Sequence, residues 1–432
     1  MKKIFLLFVL WCPLGVMAET VHSITAETTR MSPQTLLKRF HLKEGEEFTE
    51  KEYEKAQADL HKLRVFKTLE FIEEKRKHGV DIHIKADDRS YVFPMAFALS
   101  GKKRAVGISL ASGNLLKQGE TAAFFVGRSR DGFATHGGLV LGDDSFFVSY
   151  SHIDFEQSFY SNGWISIPDL FSAADDKGHY DNFLLGTVKG KQDDFSFTYR
   201  RKFSSVWSVF ITPQYEYYRY HNGVLDTGNH SQVSFGFQYA DDIRPDMNMG
   251  ALSGIGLSDK AHALRDLPRI RTGKLAQVSY TTGGRWSGSD YDIQKLSLGG
   301  GYMWEFRDRN LLAVFVKAQR AFDVPFSNLI SSSSLLFGMG IYDREQRGKG
   351  GVSAGISFTY FLLRNNLGLL SFMPFFEQAY VTSGGSSYQP HAGVGGTLTY
   401  RFWRFPFPIG LNYTHNINDG SHHFGLKVGG HF

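Results

Sequence analysis

Phe424-Gly425-Leu426-Lys427-Val428-Gly429-Gly430-His431-Phe432 ends the chain, and its side chains alternate between two kinds. Apolar residues or glycine occupy 424, 426, 428, 430 and 432, with Gly, Lys and His between them. A strand turns successive side chains to opposite faces, so this segment shows one face to hydrocarbon and the other to water. That is the pattern of a transmembrane β-barrel strand.

Working outward, the same dyad recurs in Val352-Ser353-Ala354-Gly355-Ile356-Ser357-Phe358-Thr359-Tyr360. Val394, Gly396, Leu398, Tyr400 and Phe402 repeat it, as do Ile409, Leu411 and Tyr413. Further segments lie at 105–111, 120–127, 145–152, 194–201, 206–220 and 232–240. A membrane strand takes about 9–11 residues plus a connection, so residues 89–432 suit about sixteen strands. The Asp-, Gly- and Ser-rich stretch from Glu156 to Lys189 reads as a long extracellular loop, and Arg244 to Arg271 as a loop that holds a strand.

Composition divides what precedes that region. Lys2 and Lys3, the apolar run Ile4 to Leu10 and the small-residue pattern Val16-Met17-Ala18 predict a signal peptide over 1–18. The only cysteine, Cys12, falls inside it, so a processed chain has no thiol for redox chemistry, catalysis or metal binding. Residues 19–88 hold 28 charged residues and two glycines, the balance of a small soluble domain, whereas 89–432 hold 61 charged residues and 43 glycines. No apolar run after residue 18 is long enough for a membrane helix, which leaves a closed barrel as the way to span. The formal charge of +5 is too small and too dispersed to argue for nucleic acid.

In the small domain, Val21 to Thr25 reads as a strand, and Ser32-Pro33 as the N-cap and first turn of a helix through Phe40. Thr49 and Glu52 have capping-box spacing ahead of a second helix with Tyr53, Ala56, Leu60 and Leu63 on one face. Two strands follow, Lys67 to Glu74 and Val80 to Lys85, the latter turning Val80, Ile82 and Ile84 onto the helices. The order β-α-α-β-β, and Leu60-His61-Lys62-Leu63-Arg64-Val65-Phe66 before the second strand, resemble the polypeptide-transport-associated (POTRA) domain. Arg64-Val65 departs from the glycine-containing turn of that family. The resemblance implies a periplasmic domain whose sheet edge, placed at Val80, Ile82 and Ile84, adds to an extended client or partner.

One such domain before about sixteen strands resembles the BamA/TamA superfamily, which includes two-partner-secretion transporters and bacterial surface antigens, and the resemblance covers nearly all of 19–432. Val106-Gly107-Ile108-Ser109-Leu110, Asn114 and Gly119 are similar to its opening hairpin. Phe432 resembles the terminal aromatic of its sorting signal. In relatives the sixth extracellular loop folds into the lumen with an Arg-Gly-aromatic motif, and the next strand carries Phe-x-Asp-x-Gly, whose acid meets that arginine. Arg347-Gly348 matches the first two positions, although Lys349 replaces the aromatic, and Arg344 is the other candidate. Phe375-Phe376-Glu377-Gln378-Ala379 matches the strand motif with Glu for Asp. The resemblance therefore implies a lumenal Glu377 paired with Arg347 or, failing that, Arg344. It also implies a weakly paired seam between first and last strands, here a first strand interrupted by Pro94 and a last strand carrying Gly425, Gly429 and Gly430.

No nucleotide loop, zinc helix or nucleophile elbow stands in a suitable context. Asn412, His415, Ser421, His422 and His423 lie close in sequence, but in a chain with sixteen histidines this reads as chance. No enzyme activity, metal or cofactor is expected. The reading is an outer-membrane assembly or translocation factor, embedded in outer-membrane lipids and engaging a periplasmic or secreted client polypeptide or accessory protein. A channel or lipid or glycan transporter, and a structural surface protein or adhesin, are the alternatives. The client and the oligomeric state are not encoded in any motif.

Overall fold

The computed structural model describes residues 19–61, 65–76, 79–99, 105–129, 131–160, 164–166, 184–204, 206–221, 227–241, 273–306, 310–337, 339, 342, 344–365, 367–382, 389–402, 408–418 and 420–428. The expected signal peptide, Gly429, Gly430 and Phe432 lie outside them, as does the stretch from Arg244 to Arg271. Two compact units divide the chain close to residue 90.

The first unit is β1 (Thr20–Thr28), α1 (Pro33–Phe40), α2 (Glu50–His61), β2 (Phe66–Arg76) and β3 (Gly79–Asp88). The caps are where the sequence puts them. Ser32 Oγ accepts from the Thr35 amide at 3.1 Å, and Thr49 Oγ1 accepts from the Glu52 amide at 3.3 Å, so each helix has a first-turn donor satisfied. Leu36, Phe40, Tyr53, Leu60, Val80, Ile82 and Ile84 form a core between helices and sheet, and Phe40 stacks on Phe71 with centroids 6.0 Å apart.

The strand order is β1-β3-β2, with β1 parallel and β2 antiparallel to β3. This corrects the placing of the sheet edge at Val80, Ile82 and Ile84. Those residues do face the core, but they sit on the central strand, because β1 returns to pair with β3 from far earlier in the sequence. The outer margin of β1 is itself occupied: Val21 donates to the Glu46 carbonyl at 2.9 Å and accepts from the Gly45 amide at 2.8 Å. Among the described residues, β2 is the margin without a neighbouring strand.

The second unit is a closed antiparallel sheet. Its first half is β4 (Tyr91–Leu99), β5 (Ala105–Gly113), β6 (Thr121–Ser129), β7 (Gly132–Leu141), β8 (Asp144–Tyr160), the short β9 (Ile165–Ser166), β10 (Leu184–Lys202), β11 (Trp207–Tyr220) and β12 (Gly228–Asp241). The second half continues with β13 (Gly273–Gly283), β14 (Ile293–Phe306) and β15 (Asn310–Ala321), then a small-element stretch, β16 (Ile330–Ser331), α3 (Ser332–Leu335), β17 (Arg344–Glu345) and β18 (Arg347–Gly348). The wall resumes with β19 (Gly350–Arg364), β20 (Gly368–Thr382), β21 (Gln389–Phe402), β22 (Pro408–Asn416) and β23 (His422–Val428). Setting aside β9 and β16–β18, each wall strand pairs with the next, β8 meets β10, β15 meets β19, and β23 neighbours β4, so sixteen strands close the barrel.

Alternation sorts the two faces of this wall. Along β20, Phe375, Glu377, Ala379 and Val381 are buried inward, while Phe372 and Phe376 stand outward and exposed. Outward positions elsewhere carry Val106, Ile108, Leu110, Phe195, Phe235, Phe237 and Leu411, all exposed apolar side chains. A wall with its hydrocarbon side turned out is the inverse of a soluble sheet and suits lipid.

Two local expectations change. Glu156 to Lys189 is not all loop: β8 and β10 run on as a ladder with Glu156 opposite Lys189, and Asp154 lies 3.1 Å from Lys191. The backbone ladder carries this extension, and its facing charged residues give no apolar alternation by which to read it. Pro94 does not interrupt β4 but stands opposite Leu110 within an unbroken register.

Candidate functional site: an insert held inside the barrel

Residues 322–349 leave the wall after β15 and re-enter it at β19, although these two strands pair directly, with Ala318 opposite Val352. The insert first makes a tight 3-10 turn, Phe326–Asn328. It then closes on itself through β16 and β18, where Ile330 is opposite Gly348 and Ser331 opposite Arg347. Ser331 caps α3, accepting from the Ser333 and Ser334 amides. β17 pairs with β9, Arg344 opposite Ser166. The insert therefore also holds the segment that follows β8.

One side of the insert packs on the inward face of β19–β22. Glu377 is fully buried, and its two oxygens accept from the Phe337 amide at 2.8 Å and from the Tyr342 hydroxyl at 2.9 Å. Burial, and then the Glu377 carboxylate, push the Tyr342 phenol up, so it remains a donor. Ser332 Oγ lies 2.8 Å from His391 Nδ1, and the His391 ring is flanked by Tyr342 and Trp164 at 4.7 and 4.9 Å. Asn412 donates to the Met339 carbonyl at 2.9 Å. Glycines make room for these contacts. A Cβ on Gly355 would meet the Phe337 ring at 2.7 Å, and one on Gly393 would collide with Tyr342.

The other side reaches β11, β12 and β14 across the lumen. Asn328 accepts from Lys295 Nζ at 2.7 Å, donates to Glu216 Oε2 at 3.3 Å, and lies 2.7 Å from His230 Nδ1. Gln214 braces Glu216 at 2.7 Å. Opposite charges thus meet through one neutral amide, which keeps buried ions hydrogen-bonded.

Arg347 is where the sequence-derived pairing has to be corrected. Its Nε donates to Glu345 Oε1 at 2.7 Å, its guanidinium lies 5.3 Å from the Phe326 ring centre, and an NH group donates to the Ser327 carbonyl at 3.3 Å. It does not meet Glu377. The β16–β18 pairing turns Arg347 away from β20 and toward the acid two residues before it. Burial pushes the Glu345 carboxyl up, but Arg347 and the hydroxyls of Ser331 and Ser333 outweigh this and hold it below its ordinary value. Arg344, the second candidate, is buried at 2 % exposure on β17. Gly348 faces β20 so closely that a Cβ would overlap the Thr382 carbonyl, which explains the glycine after Arg347 without an aromatic after it.

The remaining positions singled out in the sequence are dispersed. Pro94 and Gly425 lie on β4 and β23, the strands that meet at the closure, with Gly425 opposite Asn412. Of the residues grouped near the end of the chain, Asn412 and His423 are buried inward, while His415 and His422 stack on the outward face at 4.6 Å. Sequence reasoning passed over Glu345, His391, Asn328, Lys295 and Glu216. The usable signal was inward-phased polar residues and glycines on β11, β14, β19 and β21, opposite a loop of similar composition.

Among sequences, no family model and no curated protein matches the chain. Solved structures do. BamA from Haemophilus ducreyi lacking POTRA domains 1–3 is 15% identical, with a TM-score of 0.52 over 96% of this chain and 85% of that one. CdiB from Escherichia coli is 13% identical with a TM-score of 0.61, covering 96% and 76%, and CdiB from Acinetobacter baumannii is 11% identical with a TM-score of 0.57, covering 96% and 74%. The fold of the chain is that of these BamA and CdiB barrels.

Proposed function

We propose that this chain is an outer-membrane protein that inserts or translocates polypeptides. The N-terminal unit holds an extended client by strand addition to β2, and the barrel carries that client into or across the membrane. The observation that carries this reading is a barrel whose lumen is crossed by an insert anchored on two walls, while its first and last strands meet. Such a barrel is not a standing pore. A client needs either displacement of the insert or separation of β4 from β23, and both are steps that a translocation factor can couple to client binding.

Chemistry at β2 suits the task. Its backbone groups on the open side are available to any extended chain, and the side chains along it, from Lys67 to Arg76, are mostly exposed and charged. Main-chain hydrogen bonds then give affinity with little demand on client sequence. Photo-crosslinkers placed at Glu70 and Ile72 in the full chain, in cells, test the reading. Capture of unfolded outer-membrane or secreted polypeptides is the expected result. Capture only of a lipid- or glycan-carrying protein would replace it with the transporter reading, and unchanged levels of membrane and secreted proteins on depletion would overturn it.

A further inference from the structure

The open margin of β2 is not electrically neutral. Leu69 and Phe71 pack against the core, so alternation turns Glu70, Ile72 and Glu74 to the opposite face of the sheet. All three are exposed, Ile72 at 38%. They stand opposite Lys85, His83 and Asp81 of β3.

The cations around this row are already engaged or shared. Arg76 pairs with Asp81, and Lys67 Nζ lies 3.9 Å from Asp87 Oδ2. Lys85 stands between two acids, with Glu27 opposite it on β1 and Glu70 opposite it on β2. Among the described residues, neither Glu70 nor Glu74 has an ion-pair partner. On the helix side of the strand Glu73 is followed by Lys75, so the charges there cancel. What remains is a row of acid, apolar residue and acid, at steps of two, along the margin without a neighbouring strand.

We propose that β2 selects extended clients that carry a cation, an aliphatic residue and a cation at alternate positions, with Lys or Arg opposite Glu70 and Glu74 and the aliphatic side chain opposite Ile72. The inference rests on strand addition at β2 as given under the proposed function, and it names the client class of that site. Main-chain bonds are the same for any sequence, so discrimination falls to the facing side chains. Residues directly opposite across an antiparallel pair have Cβ atoms about 4.5–5.5 Å apart, where opposite charges attract and like charges repel. Charges on an edge also discourage pairing with other sheets. An edge built only to discourage would bind every strand poorly, whereas a selective one binds the complementary strand best.

The test measures binding of short fluorescent peptides to the full-length protein in detergent, by anisotropy. The peptides share the core X-Thr-Val-Thr-X, with Lys, Gln or Glu at both X positions. Exchanging two attractions for two repulsions should make the Lys peptide bind about ten-fold tighter than the Glu peptide, with the Gln peptide between them. The chain as a whole carries a formal charge of +5, so a general attraction would favour the Glu peptide, and the opposite ordering reports the edge. Glu70→Gln with Glu74→Gln should remove the preference, and Glu70→Lys with Glu74→Lys should reverse it. Both pairs of changes fall at exposed positions without ion pairs, so the fold should be kept. Equal binding of the three peptides, or an ordering that survives the glutamine changes, would overturn the charge preference and leave strand addition standing. Binding of none of them would overturn both.

Discussion

The two walls that grip the insert do so by different physics. On β19–β22 the fit is one of shape, with Phe337 and Tyr342 laid over Gly355 and Gly393 and a single buried acid, Glu377, tying both down. On β11–β14 the grip is polar, with Asn328 set among Lys295, Glu216 and His230. Steric complementarity is lost abruptly when one anchor goes, because neighbouring contacts depend on the same close approach. A hydrogen-bonded network of exchangeable partners loosens in steps. The wall next to the closure is therefore the one whose loss should free the insert as a unit.

Removing the shared anchor should have the largest effect. Glu377→Ala leaves the Phe337 amide and the Tyr342 hydroxyl without this acceptor inside the lumen, and should lower the unfolding free energy of the detergent-purified barrel by about 3 kcal/mol. Glu377→Gln, which keeps one acceptor, should lose about half as much. If the alanine variant unfolds at the wild-type denaturant midpoint, the near wall is not the anchoring wall.

Paired substitutions sharpen the contrast within the insert. A cycle combining Arg347→Ala with Glu345→Ala should show a coupling of about 1–2 kcal/mol, whereas Arg347→Ala with Glu377→Ala should add to within about 0.5 kcal/mol. Coupling in the second cycle and none in the first would reverse the assignment of Arg347. The smallest effect concerns acidity. Because the Glu345 carboxyl sits below its ordinary value in the folded chain, its stabilising contribution is present above the unfolded value and is lost as pH falls through the lowered one. Docking of the insert, read by protease access to 322–349, should persist in mild acid and fail only below the usual carboxylate range. Glu345→Gln should remove that step.

Much of this architecture was readable from side-chain alternation alone. The dyad of Val352 to Tyr360 and that of Ile409 to Tyr413 became β19 and β22 with the expected faces outward, because a two-sided wall forces a period of two. The lumenal Glu377 was implied by the family resemblance rather than by alternation, and Glu377 is buried on β20. What alternation could not give was who meets whom across the lumen. Arg347 is three residues from Arg344, and the β16–β18 and β17–β9 pairings decide how each is set. The central position of β3 was hidden for a related reason: its parallel partner β1 lies before both helices, and no local signal announces a return across that distance. The ladder that sets Glu156 opposite Lys189 read as loop because its strands are held by cross-strand pairing and carry no apolar alternation.

The direct pairing of β15 with β19 has a last consequence. Since Ala318 already faces Val352, the insert departs from and rejoins the wall at a single place, and the hydrogen-bond ladder beneath it is complete without it. Excision of 323–348 in favour of a tight turn would leave sixteen strands closed and a lumen open to ions. In a planar bilayer that shortened chain should behave as an ohmic hole, and the full chain as an insulator whose resistance is set by a detachable part.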